Sequence, residues 1–379
     1  MISASTLLNS MCAAHFTFYA GVPDSTLKSW CFELEARSAE QQVRAITTAN
    51  EGNAIALCAG HYLATGQAGC VFMQNSGLGN AVNPLASLSA PEVYGIPMLL
   101  LIGWRGAPGI PDEPQHALQG KITLDLLETL SIPYEVLEPN DDEAVMQRKL
   151  TSVVTSLTQR SIPAALVVKP KALSADSVIP ASQVTNTGTL DKFEVIARLT
   201  ELAPSATRFF ASTGHIAREL YQVRHQSAEA HGSDFYCVGA MGHVSSIALG
   251  YALSHPQEHI VVLDGDGALL MHLGALYVIA DQAQETCFHH IVFDNAAHDS
   301  VGGQPIASAR VDYQQVALGL GYRETFIVRT MDQLESCFAQ MLTTQGPSLM
   351  VVKVKKGAPA DLMRPDLTPQ QMKEAFMHA

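Results

Sequence analysis

The chain has 379 residues, 47% of them hydrophobic, and a formal charge of −13; this is enough apolar material for two cores and a length that suggests two domains. The acidic balance, with a pI ≈ 5.5 and no basic run, argues against a nucleic-acid partner, since affinity for phosphate backbones is driven by cations. Seven cysteines without a C-x-x-C pairing suggest neither a zinc knuckle nor a disulfide framework, and with no charged leader and no apolar run long enough for a bilayer the expectation is a cytoplasmic protein without a membrane partner.

From the start, helical patterns alternate with short apolar runs at 16–19, 43–47, 70–73, 98–102, 134–137 and 165–168. Such alternation predicts an α/β fold, a parallel sheet covered by helices on both faces. A polar, proline-bearing stretch at 171–189 reads as a linker. The rhythm then resumes at 208–211, 235–238, 260–263, 290–293, 324–328 and 349–354. Two tandem, doubly wound, mainly parallel domains are expected, 1–170 and 190–379, with no middle domain and with a charged, proline-bearing tail from Lys355 that wraps over another part of the surface.

Four strand ends carry polar or glycine-rich segments. In Thr47-Thr48-Ala49-Asn50-Glu51-Gly52-Asn53-Ala54, Glu51 stands where a helix begins at about residue 54, and an acid there complements the helix dipole. In Ala211-Ser212-Thr213-Gly214-His215, Thr213 and Gly214 precede a helix start that suits a diphosphate, although Ser212 or Thr213 also suits an ordinary N-cap. In Val238-Gly239-Ala240-Met241-Gly242, Met241 reads on its own as core filler. The fourth segment, Asp264-Gly265-Asp266-Gly267-Ala268, is followed after a helical stretch by the strand that ends at Asp294-Asn295. Gly-Asp-Gly alone is explained by a tight turn that uses glycine at positive φ. On adjacent parallel strands, however, Asp266 and Asn295 become neighbours, and carboxylate, amide and carbonyl oxygens there suit a hard divalent cation whose shell a diphosphate completes.

The last pairing resembles the cofactor motif of thiamine-diphosphate enzymes, although that pattern usually ends Asn-Asn where this chain has Asp294-Asn295. The runs Gly21-Val22-Pro23-Asp24-Ser25, Gln74-Asn75-Ser76-Gly77-Leu78-Gly79-Asn80, Leu101-Ile102-Gly103-Trp104-Arg105-Gly106, Asp112-Glu113-Pro114-Gln115-His116 and Ala297-His298-Asp299-Ser300-Val301-Gly302-Gly303-Gln304-Pro305 narrow the resemblance to the phosphonopyruvate decarboxylase family, with sulfopyruvate decarboxylases as near neighbours. The resemblance implies a pyrimidine-binding first domain and a diphosphate-binding second domain, each of the thiamine-diphosphate-binding type. It implies Glu51 at the aminopyrimidine, the Gly239 carbonyl facing the exocyclic amine, Met241 beneath the cofactor, and Thr213, Gly214, Gly265, Gly267 and Ala268 around the diphosphate. Mg²⁺ falls to Asp266, Asn295 and the Ala297 carbonyl. The implied reaction is non-oxidative decarboxylation of 3-phosphonopyruvate, in a homodimer or higher homo-oligomer with sites at the subunit interface. For the doubly anionic substrate the candidates are Arg105 at the phosphonate and His298 at the reacting end, with His116 and Lys121 as weaker, solvated alternatives. A sulfopyruvate or other 2-oxo-acid decarboxylase, an acetolactate-type carboligase and a non-catalytic scaffold are the competing readings.

Overall fold

The computed structural model describes residues 1–175, 188–227, 233–299, 301–306 and 310–379. The chain forms two compact units, Met1–Ser182 and Gln183–Ala379. The stretch 171–189, expected as a linker, lies mostly outside the described residues.

In the first unit the strands Phe18–Gly21, Arg44–Thr47, Gly69–Gln74, Met98–Gly103, Tyr134–Leu137 and Ala164–Val168 make a six-stranded sheet, parallel throughout. Counted in chain order, they lie side by side as 2-1-3-4-6-5. Alternate side chains leave a strand on opposite faces, and here both faces are dry. Leu99 and Leu101 join one core with Leu8, Trp30 and Leu150, whereas Leu100 and Ile102 join another with Ile55, Leu85 and Leu127. That is why the strand at 98–103 reads as a continuous apolar run rather than an alternating one.

The second unit repeats the plan. Strands Arg208–Ala211, Asp234–Tyr236, His259–Gly265, Cys287–Asp294, Glu324–Val328 and Ser348–Lys353 again lie in the order 2-1-3-4-6-5. Val261 and Leu263 face one core and Ile260 and Val262 the other. In both sheets the chain winds away in opposite directions from strands 1 and 3. The carboxyl ends of those two strands therefore flank the crevice where doubly wound sheets bind ligands.

The tail lies on the second unit. Met363 N donates to Gln222 Oε1 at 2.9 Å, Arg218 Nε donates to Met363 O at 3.1 Å, and the helix Pro369–Met377 buries Met372 and Phe376.

Candidate active site

In the first unit the helix containing Glu51 begins earlier than its apolar pattern suggests. It spans Glu51–Thr65 because Asn50 caps it, accepting from Asn53 N at 3.0 Å. Its buried positions Ala54, Ile55, Cys58 and Ala59 fall at helical spacing, and Gly66 at φ 71 ends it. Glu51 is therefore the first helical residue and is 4% exposed. Its Oε2 accepts from Asn80 Nδ2 at 2.8 Å. Gly77 leaves room for the carboxyl, since a Cβ there would stand 2.4 Å from Oε1. Burial raises the Glu51 pKa, against the opposing pull of the Asn80 hydrogen bond. A carboxyl so placed keeps its proton more readily than an exposed one.

The remaining runs of this unit are bound into one network. Asp24, fully buried, accepts from Thr26 N at 2.9 Å and from Gln74 Nε2 at 2.7 Å, so it fills the crevice between strands 1 and 3. Asn75 accepts from Arg105 N at 3.0 Å and donates to Arg105 O and Thr123 Oγ1, both at 2.9 Å. The Arg105 guanidinium forks onto Asp112, with Nε to Oδ2 at 2.8 Å and Nη2 to Oδ1 at 2.5 Å, and its Nη1 reaches Ser25 Oγ at 2.9 Å. Burial opposes ionisation of Asp112, but Arg105 and the amides of Glu113 and Gly106 more than offset it and hold the carboxyl below the usual range. Glu51 and Arg105 thus border the same segment, 75–80. Of the two weaker candidates, Lys121 is exposed, whereas His116 is buried rather than solvated, and burial lowers its pKa.

In the second unit, strands His259–Gly265 and Cys287–Asp294 pair in parallel with Gly265 opposite Phe293, which brings Asp266 beside the turn after Asp294. Asp266 Oδ2 accepts from Ala296 N and Oδ1 from Gly267 N, both at 2.8 Å. Burial and the neighbouring Asp294 charge raise the Asp266 pKa; Asp294 is paired with Lys353 Nζ, so it is Asp266 that would favour a further cation. Ala296 sits at φ 57 and Ala240 at φ 51, left-handed conformations that non-glycine residues rarely adopt. Neither Gly265 nor Gly267 has positive φ, so the Gly-Asp-Gly glycines are not explained by that freedom. Gly267 instead admits a ring: a Cβ there would lie 3.1 Å from His298 Cε1.

At the crevice of this sheet, Gly214 at φ 94 precedes the helix His215–Gln226 and receives no side-chain cap. Neither Ser212 nor Thr213 caps that helix. Thr213 Oγ1 instead donates to Val238 O at 2.9 Å, tying the loop to the segment of Gly239 and half-buried Met241. The Gly239 carbonyl accepts from Cys237 Sγ at 2.8 Å.

The short hairpin Ala297–His298 with Gln304–Pro305 sets His298 opposite Gln304. Two-residue strands leave no periodicity to read, and Gln304 was not legible as a site residue. Among the described residues, His298 Nε2 and both amide atoms of Gln304 are buried without partners, an arrangement natural proteins rarely leave unexplained. Burial lowers the His298 pKa to about 4, so the imidazole is neutral at neutral pH.

Residues 2–128 match the thiamine pyrophosphate enzyme N-terminal TPP binding domain, and residues 212–352 match the C-terminal TPP binding domain. The chain is 35% identical to a phosphonopyruvate decarboxylase of Streptomyces hygroscopicus, over 99% of this chain and 93% of that one. The chain belongs to this thiamine-diphosphate enzyme family. A second phosphonopyruvate decarboxylase, from Streptomyces viridochromogenes, is 34% identical over 99% of this chain and 94% of its own. A sulfopyruvate decarboxylase of Methanosarcina acetivorans is 28% identical over 87% and 88%.

The residues fit the family's cofactor. The second unit offers a helix start, a buried acid pair and orphaned polar atoms at one sheet edge, and the first offers a buried carboxyl. Among the described residues no three His, Cys, Asp or Glu side chains form a metal cage. A cation at Asp266 would instead draw on amide and carbonyl oxygens and on the diphosphate itself, as Mg²⁺ does. No helix among the described residues is long and apolar enough to cross a membrane.

Proposed function

We propose that the chain decarboxylates 3-phosphonopyruvate to phosphonoacetaldehyde and CO₂, using thiamine diphosphate and Mg²⁺, as a cytoplasmic homodimer or higher homo-oligomer. The observation that carries this reading is the near full-length similarity to two phosphonopyruvate decarboxylases, against a lower identity and a shorter match to the sulfopyruvate enzyme. When bound, thiamine diphosphate supplies the carbanion stabilisation that no side chain offers.

The chain's own groups do the rest. Glu51, oriented by Asn80, would hold a proton at the aminopyrimidine. Asp266, Asn295 and the Ala297 carbonyl hold Mg²⁺, while Thr213, Gly214, Gly265, Gly267 and Ala268 bound the diphosphate end. Met241 would lie beneath the cofactor, and the Gly239 carbonyl would face its exocyclic amine. His298 and Gln304 supply the polar atoms that meet the reacting end of the substrate, His298 as a neutral donor or acceptor. Arg105 can take the phosphonate in a bidentate fork only by yielding Asp112. Arg105→Ala is accordingly expected to raise KM for phosphonopyruvate and narrow its advantage over pyruvate.

The deciding experiment supplies thiamine diphosphate, Mg²⁺ and, in turn, phosphonopyruvate, sulfopyruvate and pyruvate, and follows CO₂ and aldehyde. A higher kcat/KM for sulfopyruvate reverses the assignment. Condensed products that appear only with an added acceptor aldehyde make the chain a carboligase. The oligomer has its own test. Mixing inactive Glu51→Gln and Asp266→Ala subunits restores some activity if a complete site draws on two copies, and fails, with subunit exchange confirmed by mass, if it does not.

A further inference from the structure

The Asn295 side chain is held at both ends. Its Oδ1 accepts from Ala297 N at 2.9 Å, and its Nδ2 donates to Asp299 Oδ2 at 2.5 Å. Both bonds demand the same orientation, because an ionised carboxylate only accepts and an amide N–H only donates. Asp299 is itself fixed. The same Oδ2 accepts from Gly357 N at 2.9 Å, on a segment where φ of +106 suits glycine. Beyond Gly357 the chain is tied at Met363 to Gln222 and Arg218, both on the helix His215–Gln226 that begins at Gly214.

We propose that Asp299 is a positioning residue for the cation. It turns the Asn295 amide so that the nitrogen faces away from the metal and the oxygen lies on the Ala297 side, and through Gly357 it couples the C-terminal segment to cation affinity. This inference rests on reading Asp266, Asn295 and the Ala297 carbonyl as the Mg²⁺ set. Without the carboxylate only the Ala297 N–H holds the amide against a flip that would present its NH₂ group, which repels a cation. Groups that orient metal ligands typically change metal affinity by about 10- to 100-fold when removed.

The test is calorimetric titration of thiamine diphosphate into the full chain at a series of Mg²⁺ concentrations. Asp299→Ala is expected to raise the Mg²⁺ concentration for half-maximal binding by about 10-fold or more, while binding at saturating Mg²⁺ approaches that of the wild type. Asn295→Asp alone sets two carboxylates against each other and is expected to weaken binding as well. Combining it with Asp299→Asn removes the second charge and restores the hydrogen bond with its polarity reversed, at the cost of the Gly357 N bond to the same atom, so the exchanged pair should recover part of the Mg²⁺ affinity lost in Asn295→Asp. A merely structural role for Asp299 predicts no such rescue. In hydrogen exchange, residues 355–365 should gain protection on loading with Mg²⁺ and thiamine diphosphate in the wild type but not in Asp299→Ala. A folded Asp299→Ala with unchanged Mg²⁺ dependence, or an exchanged pair no better than Asn295→Asp, overturns the proposal. If Asp299→Ala does not fold, the exchanged pair decides. A wild type whose thiamine diphosphate binding ignores Mg²⁺ overturns the metal reading itself, which is a separate outcome.

Discussion

Glu51 depends on two residues to which the sequence assigns no individual role. Asn80 donates to one carboxyl oxygen and Gly77 leaves space for the other, and both come from a segment that follows a different strand. The places of Glu51 and Asp266 at helix starts were legible because a carboxylate at a strand-to-helix junction is visible in one dimension. Asn80, Gly77 and Gln304 were not, because each acts through a contact that only folding creates. Glu51→Gln is expected to lower kcat by about 10²-fold or more, the scale of a lost proton transfer, with cofactor affinity largely kept. The neighbour gives a sharper check. The Asn80 hydrogen bond favours the ionised carboxyl, so Asn80→Ala raises the Glu51 pKa further. The limb of the kcat/KM profile that reports Glu51 ionisation should move to higher pH, and an unmoved limb would assign that limb to another group.

At the scale of elements, the strands were legible because runs such as Leu99–Leu100–Leu101–Ile102 are buried on both faces. Ends were harder to place, since caps rather than apolar spacing set them, as Asn50 does for the helix at Glu51. Loop-to-helix packing was not legible at all. The helix Ala117–Thr129 lies so close to the loop after Met98–Gly103 that a Cβ on Gly120 would stand 1.8 Å from Gly106 O. Gly120 O also accepts from Trp104 Nε1 at 2.8 Å. Helix propensity favours alanine over glycine, yet Gly120→Ala should destabilise the first unit by about 1–3 kcal/mol, because overpacking against backbone cannot be relieved by a rotamer change. Chemical denaturation followed by tryptophan fluorescence measures it, both tryptophans, Trp30 and Trp104, lying in that unit. A midpoint at or above the wild-type value would mean that the loop shifts freely, and Arg105 with it.

Across the whole molecule, the same strand order is used twice with opposite contents at the crevice. Asp24 fills it in the first unit, whereas Gly214 and the start of an uncapped helix stand there in the second. The sequence predicted two like domains but not which crevice was filled, because an Asp after a strand reads equally as a turn or as a ligand. Stability against pH is a property of the whole chain, and one buried carboxyl should be visible in it. Glu219 is fully buried, and Lys192 Nζ forms a long ion pair with its Oε1 at 3.4 Å. Burial raises its pKa from 4.5 to about 7 despite the pull of Lys192, with Asp191 and Asp299 adding to the rise. The folded chain therefore keeps a proton that the unfolded chain has released. The stability tied to this group is present below about pH 4.5 and is lost as pH rises through about 7, a change on the order of 3 kcal/mol. His215, whose pKa burial lowers, acts in the opposite sense, so the slope of the wild type alone cannot identify Glu219. The difference between the wild type and Glu219→Gln does. The amide cannot ionise, so between pH 5 and 8 the denaturation midpoint of the wild type should fall relative to that of the variant, and parallel curves would show that Glu219 does not titrate in this range.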